Sequence, residues 1–171
     1  APSPLFGHWR LRVTKRTRKK RKQGQSPNQN LLRAHARRAM PNLLPGAQVR
    51  IEPRGVVRMS EVLEAFVEPY LGLASTDNGQ RVLFQIASLA WNAAILPADE
   101  RRALLDQAAE ALPGFQGETR KELRDLLADM VARKLALFDD NKRLILSVDL
   151  TGAEGGYLSV ISTAASSSER D

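Results

Sequence analysis

The 171-residue chain has no cysteine and only two histidines, and these shortages exclude more chemistry than any motif supplies. Without thiols there are no disulfides, no thiolate metal sites and no cysteine nucleophile. Both histidines, His8 and His35, lie near the N-terminal end. The rest of the chain therefore offers no imidazole for a Ser-His-Asp or Cys-His arrangement, and no ordinary zinc site. Phosphate-cradling glycine loops are missing too. The densest glycine segment, Gly152 to Gly156 (GAEGG), fits neither the dinucleotide-binding spacing nor the P-loop and reads as a hairpin turn. Nothing at the N-terminus has the pattern of a secretory signal. The longest uncharged stretch, Val82 to Leu96, spans roughly 22 Å as a helix, too short for the ~30 Å hydrocarbon core of a bilayer. The expectation is a cytoplasmic protein off the membrane, with no catalytic residues, no metal and no cofactor.

Acidic residues are scarce in one region only. Residues 1–58 hold 15 Lys/Arg against a single acid, Glu52, a balance of +14. Residues 59–171 hold 11 Lys/Arg against 18 Asp/Glu, a balance of −7. The net +7 thus averages two unlike objects, a basic arm and an acidic body. Within the arm, Lys15–Lys22 reads KRTRKKRK, seven cations in eight residues. Such a run repels itself and cannot bury enough apolar surface to fold alone, so residues 1–58 are expected to be largely disordered. A short helix from Leu31 to Met40, capped by Asn30 and exposing Arg33, Arg37 and Arg38, and a possible strand at Gln48–Glu52 are the exceptions.

On a polyanion these cations would release condensed counterions, giving strong, salt-sensitive and sequence-blind affinity. The candidate nucleic-acid-binding set is Lys15, Arg16, Arg18, Lys19, Lys20, Arg21, Lys22, Arg33, Arg37 and Arg38, with Trp9 able to stack on an unpaired base. Basic runs also serve in nuclear import or organelle targeting. The break in composition near Met59, followed at once by a helix-start signal, also fits a protein that begins there, with the arm as upstream sequence.

The body, residues 59–163, reads as α+β: four helices around a buried central one at about 80–96, then a C-terminal β-hairpin. In the central stretch VLFQIASLAWNAAIL apolar residues fall on every side of the helical wheel, so neighbours must cover most of it. Asp77 with Gln80 gives a start signal, and Pro97 a stop. A helix capped by Ser60 carries Val62, Leu63, Phe66, Val67 and Leu71 inward, and Pro69 should kink or end it near Tyr70. Two further helices follow, from Pro97 to Leu112 and from Glu118 to Phe138, the latter with Thr119 and Glu122 as a capping box. The period then changes: Leu144, Leu146, Val148 and Leu150 alternate, as does Tyr157–Thr163, so both read as strands. Residues 164–171 form a Ser-rich tail.

Three features of the body could carry chemistry. Asn92, beside Trp91, is an amide in an apolar stretch, fit to orient a ligand or to bridge two elements. Glu61, Glu64 and Glu68 share a helix face, better read as solvated than as a metal site, since no Glu-x-x-His pair accompanies them. Asp139-Asp140-Asn141 lacks the twelve-residue calcium pattern. The leading expectation is a non-catalytic interaction protein. Its acidic helical body or hairpin edge would engage protein partners or a second copy, and its arm would engage nucleic acid. The competing one is a carboxylate-based, metal-dependent or hydrolytic enzyme with a cleft near Asn92.

Overall fold

A computed structural model of the chain describes residues 29–39, 57–151 and 156–163. Lys15–Lys22, Trp9, Gln48–Glu52, most of the GAEGG loop and the Ser-rich tail lie outside these residues. The described elements are α1 (Gln29–Ala39), α2 (Met59–Val67), α3 (Asp77–Ile95), α4 (Ala98–Ala111), α5 (Glu118–Leu137), β1 (Ile145–Thr151) and β2 (Tyr157–Ser162). The class is α+β, with the two strands forming an antiparallel hairpin. No helix among the described residues is long and apolar enough to cross a membrane.

Helix α3 packs against α2, α4, α5 and β1. Its buried side chains, Leu83, Phe84, Ile86, Ala87, Ala90, Trp91, Ala93 and Ala94, occupy about half of its circumference. On the other half Val82, Ser88, Leu89, Asn92 and Ile95 are only partly covered and Gln85 is exposed, less cover than the apolar composition promised. Its N-cap is Thr76, one residue before Asp77: the Thr76 hydroxyl accepts the Gly79 N–H at 3.0 Å. Threonine in extended geometry takes the capping role that the carboxylate promises in sequence.

The other helices differ from expectation in detail. Helix α2 starts at Met59, with Arg58 as N-cap, so Ser60 lies inside the first turn. It closes at Val67, and the chain tightens into a 3-10 turn, Glu68–Leu73, with Pro69 near its start. Proline fits there because the missing N–H has no intrahelical partner anyway. The change of period turns Leu71 outward, 39% exposed instead of in the inner stripe, and buries Tyr70. Thr119 makes no capping box; its hydroxyl closes on Gln116, accepting from the backbone N–H and donating to the backbone carbonyl.

The C-terminal ends of α2 and α3 are held by arginines from other helices. Arg101 of α4 donates to the carbonyls of Ala93, Ala94 and Leu96 at the end of α3. Arg133 of α5 donates to Ala65 and Phe66 at the end of α2. A cation at a helix C-terminus meets both free carbonyls and the negative end of the dipole.

The hairpin corrects the strand pattern. Ile145 is 5% exposed, whereas Leu144 and Leu146 are 37% and 49% exposed. A bulge separates Ile145, opposite Ser162, from Ser147, opposite Ile161. Leu146 is the extra residue, and it shifts the phase of everything before it. Beyond the bulge, Val148 and Leu150 with Leu158 and Val160 join the core. Ser147, Asp149 and Ser159 fall on the opposite face.

Helix α3 also clips the edge of β1. Asn92 donates to the Ile145 carbonyl and accepts from the Ile145 N–H, both at 2.8 Å, the two bonds a neighbouring strand would make. Arg81 donates to the Leu150 carbonyl at 3.0 Å. Arg81 to Asn92 spans roughly 16 Å of helix, and Leu150 to Ile145 roughly 16 Å of strand, so the two elements run alongside in matched lengths.

Candidate functional site

The outer face of the hairpin sets Ser147, Asp149 and Ser159 among Ile161 and Tyr157, and α1 packs on the β2 side of the hairpin. His35 of α1 is 2% exposed. Its Nδ1 lies 2.5 Å from the Ser159 hydroxyl on β2, and its Nε2 lies 2.8 Å from the Ser147 hydroxyl on β1. A neutral imidazole has one N–H and one lone pair, and a hydroxyl can meet either, so both tautomers are satisfied here. One turn further along α1, Arg38 forms an ion pair with Asp149. Burial lowers the His35 pKa from its ordinary value of 6.5; Asp149 works against that and Arg38 reinforces it.

These contacts sort the sequence-predicted residues of α1. His35 is not part of a loose arm: it brings an imidazole to the folded body, which composition alone seemed to deny. Arg33 and Arg37 are exposed, four residues apart and offset from His35 by two, hence on the side of α1 away from the hairpin. Arg38 is exposed but engaged with Asp149. Lys15, Arg16, Arg18, Lys19, Lys20, Arg21 and Lys22 lie outside the described residues.

As chemistry, Ser147–His35–Ser159 does not reproduce a hydrolytic triad. In a triad one ring nitrogen is oriented by a carboxylate; here both face hydroxyls, and the nearby carboxylate is bound to Arg38. What the arrangement does is fasten a helix to a sheet through polar groups that each have a partner.

A second cluster of polar groups sits at the corner between α5 and β1. Lys134 is 1% exposed. Its ammonium donates to the Phe138 carbonyl at 2.7 Å and the Asn141 carbonyl at 2.9 Å, and lies 4.6 Å from the centre of the Trp91 ring. Burial lowers its pKa, with Lys142 adding to the effect and Asp139 and Asp140 opposing it. Trp91 is fully buried, donates its indole N–H to the Arg143 carbonyl at 2.8 Å, and meets Phe66 edge-on. Asn92 completes the set by holding Ile145, so its amide oxygen and one N–H are committed to the strand.

The acidic candidates are likewise structural. Asp139 pairs with Lys142 at 2.7 Å, which holds its carboxyl below the usual range. Asn141 accepts the Arg143 N–H with its side chain and a Lys134 proton with its backbone. Glu61 and Glu68 are exposed on α2 and its continuation, and Glu64 is half-buried. No group of three metal-ligating side chains occurs among the described residues. On the far side of the body, the Tyr70 hydroxyl donates to Asp129 at 2.6 Å; burial, then that bond, push its pKa up.

Ser147, Ser159, Asp149 and Lys134 escaped attention in the sequence. A signal existed for each. Ser147 and Asp149 alternate with Val148 and Leu150, Ser159 stands between Leu158 and Val160, and Lys134 lies in the apolar stripe Leu127, Met130, Val131, Phe138. Comparisons with protein-family models, with curated proteins and with solved structures returned no match.

Proposed function

We propose that the chain is a non-catalytic interaction protein: an acidic four-helix body with a C-terminal hairpin, residues 59–163, that engages protein partners or a second copy, and a basic N-terminal arm that binds nucleic acid. The observation that carries the reading is the orientation of α1. The helix uses His35 and Arg38 to hold the hairpin and leaves Arg33 and Arg37 outward. Those two arginines add to the seven cations of Lys15–Lys22 on one charged ligand, with Arg38 as a reserve if a phosphate displaces Asp149. For the body, large apolar side chains left exposed at Leu135 and Leu137 of α5, and at Leu144 and Leu146 around the start of β1, support a contact surface.

The carboxylate-enzyme reading loses its anchor, because Asn92 is spent on Ile145. Retention of the full chain on mixed-sequence DNA and RNA tests the proposal. Binding should weaken steeply with salt, and R33Q/R37Q should flatten that salt dependence by roughly one phosphate contact per arginine. Replacing the cations of Lys15–Lys22 by glutamine should abolish most retention. Equal retention by all three proteins would refute the arm as the binding element.

A further inference from the structure

We propose that His35 is a pH-sensitive latch for α1: as a neutral imidazole it bridges Ser159 and Ser147 and seats the helix on the hairpin, and protonation in mild acid releases the helix. The proposal concerns how α1 is held, and it stands whether or not the outer face of α1 binds nucleic acid.

Geometry supplies the argument. The ring is almost fully buried, and its two nitrogens meet one hydroxyl from each strand, so this single side chain ties α1 to both halves of the hairpin. The charged groups acting on it are Arg38 from α1 and Asp149 from β1, and these are bound to each other. β2 contributes the Ser159 hydroxyl. Among the described residues, then, no carboxylate is bonded to either ring nitrogen to hold an imidazolium in place. Protonation makes both ring nitrogens donors. The serine that had been donating its hydroxyl proton to the ring must then turn that proton elsewhere, in a site where Ser159 is also buried. Burial of the new charge adds to that cost.

The direction with pH follows. Below the ordinary histidine value of 6.5 the released helix takes up a proton that the seated helix resists, because burial lowers the pKa in the seated state. Seating is at full strength above about pH 6.5 and weakens as the pH falls below it, by up to about tenfold in equilibrium constant per pH unit until the seated value is reached.

The test uses the full chain carrying H8N, so that His35 is the only imidazole. Two quantities are followed between pH 8 and 5: the ring titration by NMR, and amide exchange protection in α1 corrected for intrinsic exchange. The ring should titrate below 6.5, and α1 protection should fall progressively in acid, while the protection of α3 holds. In H35Q, whose amide keeps one donor end and one acceptor end without titrating, α1 protection should be flat with pH. A ring titrating at or above 6.5, or α1 protection that is the same at both ends of the range, overturns the latch. So does parallel acid loss in H35Q. Should H35Q fail to seat α1 at any pH, the ring titration and the H8N protein decide the matter alone.

Discussion

The two faces of the hairpin are held to their neighbours in opposite ways. The inner face offers Ile145, Val148, Leu150, Leu158 and Val160 to the core around α3, and Arg81 and Asn92 of that helix bond to the strand backbone. The outer face offers Ser147, Asp149 and Ser159 to α1, and the contacts described there are a bridging imidazole and an ion pair. Apolar burial is insensitive to pH and salt and is lost only when the fold opens. A seat whose described bonds are an imidazole bridge and an ion pair can be tuned by pH and by salt. One sheet therefore carries a permanent attachment on one side and an adjustable one on the other.

Four substitutions would break or sharpen this contrast. Trp91→Ala should cost the most, about 3–5 kcal/mol of global stability by denaturant unfolding, because it empties the core and strips the Arg143 carbonyl and Lys134 of a partner. Lys134→Met keeps most of the volume but takes the Lys134 ammonium from the Asn141 carbonyl and leaves the Phe138 carbonyl with the Asn141 N–H, an expected loss of about 1–3 kcal/mol; no loss would mean that the corner is held by packing alone. His35→Ala should lower α1 protection by about five- to thirtyfold, a cost of about 1–2 kcal/mol to seating, with the unfolding midpoint of the body nearly unmoved. A midpoint that drops with α1 would make the helix part of the core and erase the distinction. Asp149→Asn should be the mildest, within about 1 kcal/mol, and its effect on α1 protection should vanish at high salt.

What could be read in the residues beforehand divides along the same line. The helices of the body, the hairpin and the burial of one side of Val82–Leu96 followed from period and composition, because apolar burial leaves a repeating trace; the cover expected on most faces is complete on that side only. Asn92 was visible as an anomaly, but its target was not, since nothing local ties residue 92 to residue 145. The bulge was hidden for a different reason: Leu144, Leu146, Val148 and Leu150 make a perfect alternation, and only the pairing shows that Leu146 is supernumerary. The seat of α1 was the least legible. A histidine among arginines carries a solvated signature, and its partners, more than a hundred residues away, are two ordinary serines.

The supernumerary leucine has a consequence for chain length. Deleting Leu146 would join Ile145 directly to Ser147, and plain alternation would still send the first inward and the second outward. Deleting Val148 instead would throw one flank of the strand out of step, costing either the grip of α3 or the perch of α1. The strand thus holds one spare link that can be cut without choosing between its two neighbours.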